Sequence, residues 1–325
     1  MRLSTLAQEN HPDGRLVVVS ADHRRCVSAA AIAATLQQAM ENWSEAGPQL
    51  EQLSQQLNTA HVAGEQEFEP TQALAPLPRS WQWLDASAFE SHGRLMSKVF
   101  GMDDPPRDRP LMYQGVSNPF YGPCEPVPFR SEADGIDFEG EFGVIVDEVP
   151  MGVTPDQAMQ HIRLVVQIND WSLRVLAPVE MKTGFGWVQA KPPCSAAPVA
   201  VSPEELGSAW NNGRVALDLL VDWNGKRFGA ANGEAMSFGF HELVAHAAAT
   251  RSLVAGTIIG SGTVSNENYR EIGSSCIAER RGIEIIDQGK PKTEFMKFGD
   301  RVRMEATDLD DGPLFGVIDQ EVVRA

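Results

Sequence analysis

The run Ile136-Asp137-Phe138-Glu139-Gly140-Glu141-Phe142-Gly143-Val144-Ile145-Val146 places the tightest constraint on this chain. Its second half, Phe142 to Val146, is apolar and β-branched, which predicts a buried strand. Its first half carries two carboxylates, Glu139 and Glu141. On a strand, residues i and i+2 share a face, so the two acids would point the same way about 7 Å apart. Like charges that close raise each other's pKa unless a positive charge lies between them. A divalent cation would supply one; an edge strand with solvated acids is the alternative.

The rest of the sequence narrows the choice. A chain of 325 residues, 42% hydrophobic, can bury a substantial core. Its formal net charge of −17 argues against nucleic-acid or anionic-membrane partners. Cys26, Cys124, Cys194 and Cys276 form no CxxC pair, which predicts buried thiols in a reducing compartment. The opening residues lack the apolar core of a signal peptide, and no apolar run is long enough to span a bilayer, so a cytoplasmic protein is expected.

Taken in order, Arg2–Ala7 and Leu16–Ser20 predict a hairpin turning at His11-Pro12-Asp13-Gly14. Residues 27–59 have a helical pattern, with Ile32, Leu36, Met40 and Trp43 on one stripe, then Leu50, Leu53 and Leu57, broken at Gly47-Pro48. A Pro-containing linker and the aromatic stretch Trp81–Leu84 follow. The charged, Pro-rich segment Met102–Arg109 marks a boundary between a small α/β N-terminal domain (1–105) and a larger one (106–325). The larger part is mainly β in an α+β chain, with strands expected at 110–113, 136–146, 164–170, 186–191, 215–223, 226–228, 257–260, 283–286, 301–305 and 315–322. Thr154, Pro155 and Gln157 form a capping box for one helix, and His241–Thr250 form another.

Asp170 closes the strand Leu164–Asp170, about thirty residues after the two glutamates. It would complete an oxygen-only set suited to Mg²⁺, Mn²⁺ or Ca²⁺. Beside such an anionic site, Lys191 and Arg174 are candidates for binding a substrate carboxylate or enolate oxygen, against the reading of plain surface cations.

Asp137-Phe138-Glu139-Gly140-Glu141, then Asn169-Asp170-Trp171-Ser172-Leu173-Arg174, Lys191 and Gly260-Ser261-Gly262-Thr263 together resemble the fumarylacetoacetate hydrolase family in order and spacing, over roughly residues 80–325. The resemblance implies a mixed β-sheet roll or barrel in the C-terminal domain. It implies a metal site of Glu139, Glu141 and Asp170, with Lys191 as the family lysine. Ser195, Arg174, Gly262 and Thr263 are implied on the substrate side. His92, in Ser87–His92, resembles the family's catalytic histidine, suited by its pKa to take a proton from water. Glu279 resembles that base's partner, standing about two positions late; His161, His241 and His246 read as structural.

Three departures bear on the substrate: Leu95 where a carboxylate is frequent, no Asp or His in Tyr113–Asn118, and Val175-Leu176-Ala177 where Asp and Gln are frequent. The resemblance implies a homodimer that hydrolyses a C–C bond of an acidic β-diketone, with fumarylacetoacetate the leading substrate in aromatic amino-acid catabolism. A hydratase, isomerase or decarboxylase of a 2-oxo acid on the same site stays open. So does a non-catalytic protein whose cation stabilises the fold.

Overall fold

In the computed structural model, which describes residues 1–101, 103, 108–308 and 312–325, the strand Gly140–Val146 has all seven residues buried. It pairs antiparallel with Ile162–Asn169 on one side and Thr257–Gly260 on the other. Both faces are covered, which is why it reads as a continuous apolar run rather than an alternating one. Val144 and Val146 face one core cluster and Ile145 the other.

Among the described residues these strands belong to an eleven-stranded sheet. It continues through Val199–Val201 into the N-terminal strands Arg2–Gln8, His11–Val19 and Arg25–Ser28, and at its other end through Trp83–Ser87 to Leu111–Gly115. Trp83–Ser87 runs parallel to Thr257–Gly260. One face packs Phe142 and Val144 with Leu219, Val221, Met304 and Ile318 of a second sheet, built on Asp218–Trp223, Arg301–Asp308 and Gly312–Arg324. The other face packs Ile145 and Leu164 with Leu36, Met40, Leu50 and Leu57 of the helices Leu36–Glu41 and Trp43–Thr59. The architecture is α+β and mostly sheet.

Several expectations change. The first hairpin turns at Glu9-Asn10, since Gln8 pairs with His11 and Asn10 takes a positive φ of 61°. Asn tolerates that left-handed geometry. Residues 25–28 form a strand, not the start of a helix. Gly47-Pro48 does not break the helix, which runs through Pro48 and starts instead after Asn42. Pro48 falls in the second turn, so only one intrahelical bond is lost. Residues 186–191 form an irregular loop after the helix Ala177–Thr183. Residues 283–286 lie inside the helix Ile277–Gln288. Its buried positions 277, 278, 279, 282 and 283 have helical spacing, so packing outweighs the β-propensity of Ile-Glu-Ile-Ile. Thr154 and Gln157 form the expected capping box. All four cysteines are free thiols. No helix among the described residues is long and apolar enough to cross a membrane. Of the boundary segment Met102–Arg109, Met102 and residues 104–107 lie outside the described residues.

Candidate active site

Three neighbouring strands bring the acids together. Gly260 stands in register with Asp85 on one side and Gly143 on the other. Having no side chain, it leaves a gap that Asp85 and Glu141 enter from either side. A Cβ there would lie 2.7 Å from Asp85 Oδ1 and 3.0 Å from Glu141 Oε2. Asp170, at the end of strand Ile162–Asn169, completes the group: Asp85, Glu141 and Asp170 each offer an oxygen within 4.8 Å of the others, all buried.

Two halves differ in electrostatics. Neither oxygen of Glu141 meets a hydrogen-bond donor. Burial, and then the neighbouring carboxylates, push Asp85 and Glu141 well above the ordinary carboxylate range. Glu139, by contrast, stands outside this cluster. Its Oε1 accepts from Ser172 Oγ at 2.6 Å and Lys191 Nζ at 2.6 Å, and lies 2.9 Å from Arg174 Nη2; Oε2 accepts from Thr263 Oγ1. Burial would raise its pKa, but Arg174 and Lys191 outweigh burial and hold it far below the usual value. The Lys191 ammonium is likewise disfavoured by burial, yet Asp170 and Glu139 hold it charged. Lys191 also donates to Asp170 Oδ2, which accepts from Tyr113 Oη at 2.9 Å.

Asp85, Glu141 and Asp170 fit a divalent cation. Three buried carboxylates crowd together, and the Glu141 oxygens meet no donor, so a cation is the group that would offset their mutual repulsion. Glu139 then orients Lys191 and Arg174 beside it. Arg174 itself donates through Nε to Asp137 Oδ2 at 2.8 Å. Asp137 in turn accepts from the backbone N–H groups of Ile277 and Ala278, at 2.7 and 2.9 Å, at the start of helix Ile277–Gln288. Arg174 thus bridges Asp137 and Glu139. Ser195 is also engaged, accepting from Trp171 Nε1 at 2.9 Å in the core. The Gly262 N–H donates to Asp85 Oδ1 at 3.2 Å.

His92 lies on the helix Glu90–Phe100, with Nδ1 3.7 Å from Glu279 Oε1. Glu279 is fully buried on helix Ile277–Gln288 and accepts from Ser265 Oγ, which also receives a 2.9 Å hydrogen bond from Ser91 Oγ. The structure therefore brings His92 and Glu279 together despite the displaced sequence position. Asp85 is the site residue that sequence reasoning missed. Its signal was a charged residue inside an otherwise apolar strand, Trp83-Leu84-Asp85-Ala86, where four of the five strand residues are buried.

Residues 82–323 match the family description "Fumarylacetoacetate (FAA) hydrolase C-terminal", and residues 1–79 match "Fumarylacetoacetase N-terminal domain 2". The chain belongs to the fumarylacetoacetate hydrolase family. Among curated relatives, it is 26% identical over 157 residues to 2,4-didehydro-3-deoxy-L-rhamnonate hydrolase of Sphingomonas sp. (strain SKA58), spanning 47% of this chain and 52% of that protein. The match thus takes in about half of that relative. Among solved structures, the maleylpyruvate hydrolase of Sphingobium sp. SYK-6, in complex with manganese(II) and pyruvate, aligns over the whole of both chains at 16% identity and a TM-score of 0.67. The 5-carboxymethyl-2-hydroxymuconate delta-isomerase of Mycobacterium smegmatis aligns over 100% of this chain and 99% of its own at 16% identity, with a TM-score of 0.59. Proteins of this fold therefore include both a hydrolase and an isomerase.

Proposed function

We propose that this protein is a divalent-metal-dependent enzyme that hydrolyses a C–C bond of a small acidic β-diketone, with fumarylacetoacetate the first substrate to try. The observation that carries the reading is one short segment, Gly260–Ser265, which touches both halves of the chemistry. Gly262 binds Asp85, Thr263 binds Glu139, and Ser265 binds Glu279 beside His92. A cation held by Asp85, Glu141 and Asp170 supplies Lewis acidity toward a 1,3-dicarbonyl. The manganese and pyruvate held by the maleylpyruvate hydrolase support a hard divalent cation and a 2-oxo acid ligand in this fold.

The chain's own residues do the rest. His92 takes a proton from water, and Glu279 stabilises the imidazolium that results. The hydroxide oxygen bonds to one carbonyl carbon. The bond from that carbon to the central carbon breaks, its electron pair passing to the remaining carbonyl as an enolate. The Lys191 ammonium offers positive charge to that oxygen. The proton that His92 took from water passes to the central carbon and restores the neutral imidazole, so diketone and water give a carboxylic acid and a ketone.

Incubation of fumarylacetoacetate with the Mn²⁺- or Mg²⁺-loaded protein should consume the diketone and release fumarate and acetoacetate, and EDTA should stop it. A rearranged or decarboxylated product without uptake of water would overturn hydrolysis in favour of an isomerase or decarboxylase using the same carboxylates and Lys191. Tight metal binding with no turnover of any acidic diketone or 2-oxo acid would leave a structural cation.

A further inference from the structure

Between Asp170 and Lys191 the chain leaves the sheet on an excursion that includes the helix Ala177–Thr183. Val179, Met181, Phe185 and Val188 along it are exposed, Phe185 by 97%. Apart from Trp187, whose ring meets that of Tyr113 edge-on with centroids 6.0 Å apart, apolar packing does little to fix its path. Yet Lys191, at its far end, is buried and aimed at Glu139 and Asp170.

The Glu180 carboxylate accounts for this. Its Oε1 accepts from the Gln189 N–H at 2.8 Å, and its Oε2 accepts from the N–H groups of Val188 at 3.1 Å and Ala190 at 2.9 Å. The Ala190 carbonyl accepts from the Leu173 N–H at 2.8 Å. Ala190, the residue before Lys191, is thus held from both sides. Hydrogen bonds from backbone N–H groups to an ionised carboxylate are roughly twice as strong as neutral ones. Burial alone would raise the Glu180 pKa, but these three N–H groups outweigh it and favour the ionised acceptor.

We propose that Glu180 is a positioning residue for Lys191: its carboxylate closes the excursion into a ring and fixes the backbone from which the ammonium reaches the reacting site. This rests on the role given to Lys191 under the proposed function. Misplacing a catalytic group by about 1 Å can cost on the order of 10²-fold in rate.

The test uses the full-length, Mn²⁺-loaded protein. Glu180→Ala should speed amide hydrogen exchange at Val188, Gln189 and Ala190, and lower kcat by about 10- to 100-fold. Mn²⁺ affinity, read by electron paramagnetic resonance, should stay unchanged. Glu180→Gln, which keeps one acceptor oxygen, should recover part of the loss. In a Lys191→Met background, Glu180→Ala should cost nothing further, an outcome that a general destabilisation of the loop would not give. Unaltered exchange at the three amides, or the same fold-loss in both backgrounds, overturns the positioning role alone. Wild-type turnover by Lys191→Met would instead overturn the role of Lys191, and this proposal with it.

Discussion

Glu139 and Glu141 stand two residues apart, both are buried, and they live in opposite electrostatic worlds. Glu139 meets two cationic side chains and two hydroxyls. Glu141 meets no donor and faces Asp85 and Asp170. Burial penalises both charges, and only the company each keeps decides the sign of the net effect. The donor-rich half is a finished ionic network that holds Lys191 and ties Arg174 to Asp137. The other half leaves both Glu141 oxygens without a donor, facing two further carboxylates. The two glutamates therefore stand in different settings, and the cluster that could hold a cation lies on the Glu141 side.

Substitution on each side is the strongest way to break this comparison. Glu141→Ala should abolish turnover and reduce Mn²⁺ affinity by about 10²-fold or more, read by titration calorimetry; retained affinity would sink the assignment. Glu139→Ala should instead unfold or severely destabilise the protein, by about 3–5 kcal/mol in denaturant melts, because Lys191 and Arg174 lose a buried counter-charge. If the two variants exchange these phenotypes, the division between the halves is wrong.

The next effect in size concerns the base. His92→Gln should lower kcat by about 10²- to 10⁴-fold while metal affinity stays unchanged. A variant that keeps its rate places the base elsewhere. Gly260→Ala sharpens the geometry at smaller cost. The added methyl would press on Asp85 Oδ1, Glu141 Oε2 and the Trp83 ring. Overpacking of this kind costs about 1–3 kcal/mol, and Mn²⁺ affinity should fall along with the melting temperature. Unchanged affinity would show that the gap does not set the approach of the acids.

The mildest prediction lies outside the site. His23 is buried, has an Nε2 without a partner, and is pushed down to about 4, first by burial and then by Arg2. Its folded pKa thus lies below its unfolded value of about 6.5. The stability this contributes is fully present above pH 6.5 and is lost as pH falls toward 4, up to about 3 kcal/mol. His23→Asn, which suits the positive φ of 56° there, should flatten the acid limb of the stability profile. A limb that stays equally steep would assign the loss to other groups, the carboxylates first.

Much of the fold was legible where local pattern and tertiary context agree. The buried run Phe142–Val146, the Thr154 capping box and the strand Thr257–Gly260 needed no knowledge of neighbours, and of the strand expected at 215–223 the part Asp218–Trp223 forms. The helix Ile277–Gln288 was not legible, because its β-branched Ile283-Glu284-Ile285-Ile286 has the propensity of a strand. As a helix it packs against the helix Glu90–Phe100 and sets Glu279 3.7 Å from His92.

The residue types and their order supply the chemistry on offer: the carboxylates Glu139, Glu141 and Asp170, the cations Lys191 and Arg174, and the imidazole of His92. These are covalent properties of the residues and their order. Which glutamate stands among cations, and which meets no donor, follows from the tertiary structure. Asp85 enters the cluster from a strand more than fifty residues earlier, across a glycine that leaves room, while Arg174 and Lys191 converge on Glu139. Charge in a buried site depends on three-dimensional neighbours, because low dielectric makes each nearby group count and no spacing along the chain encodes them.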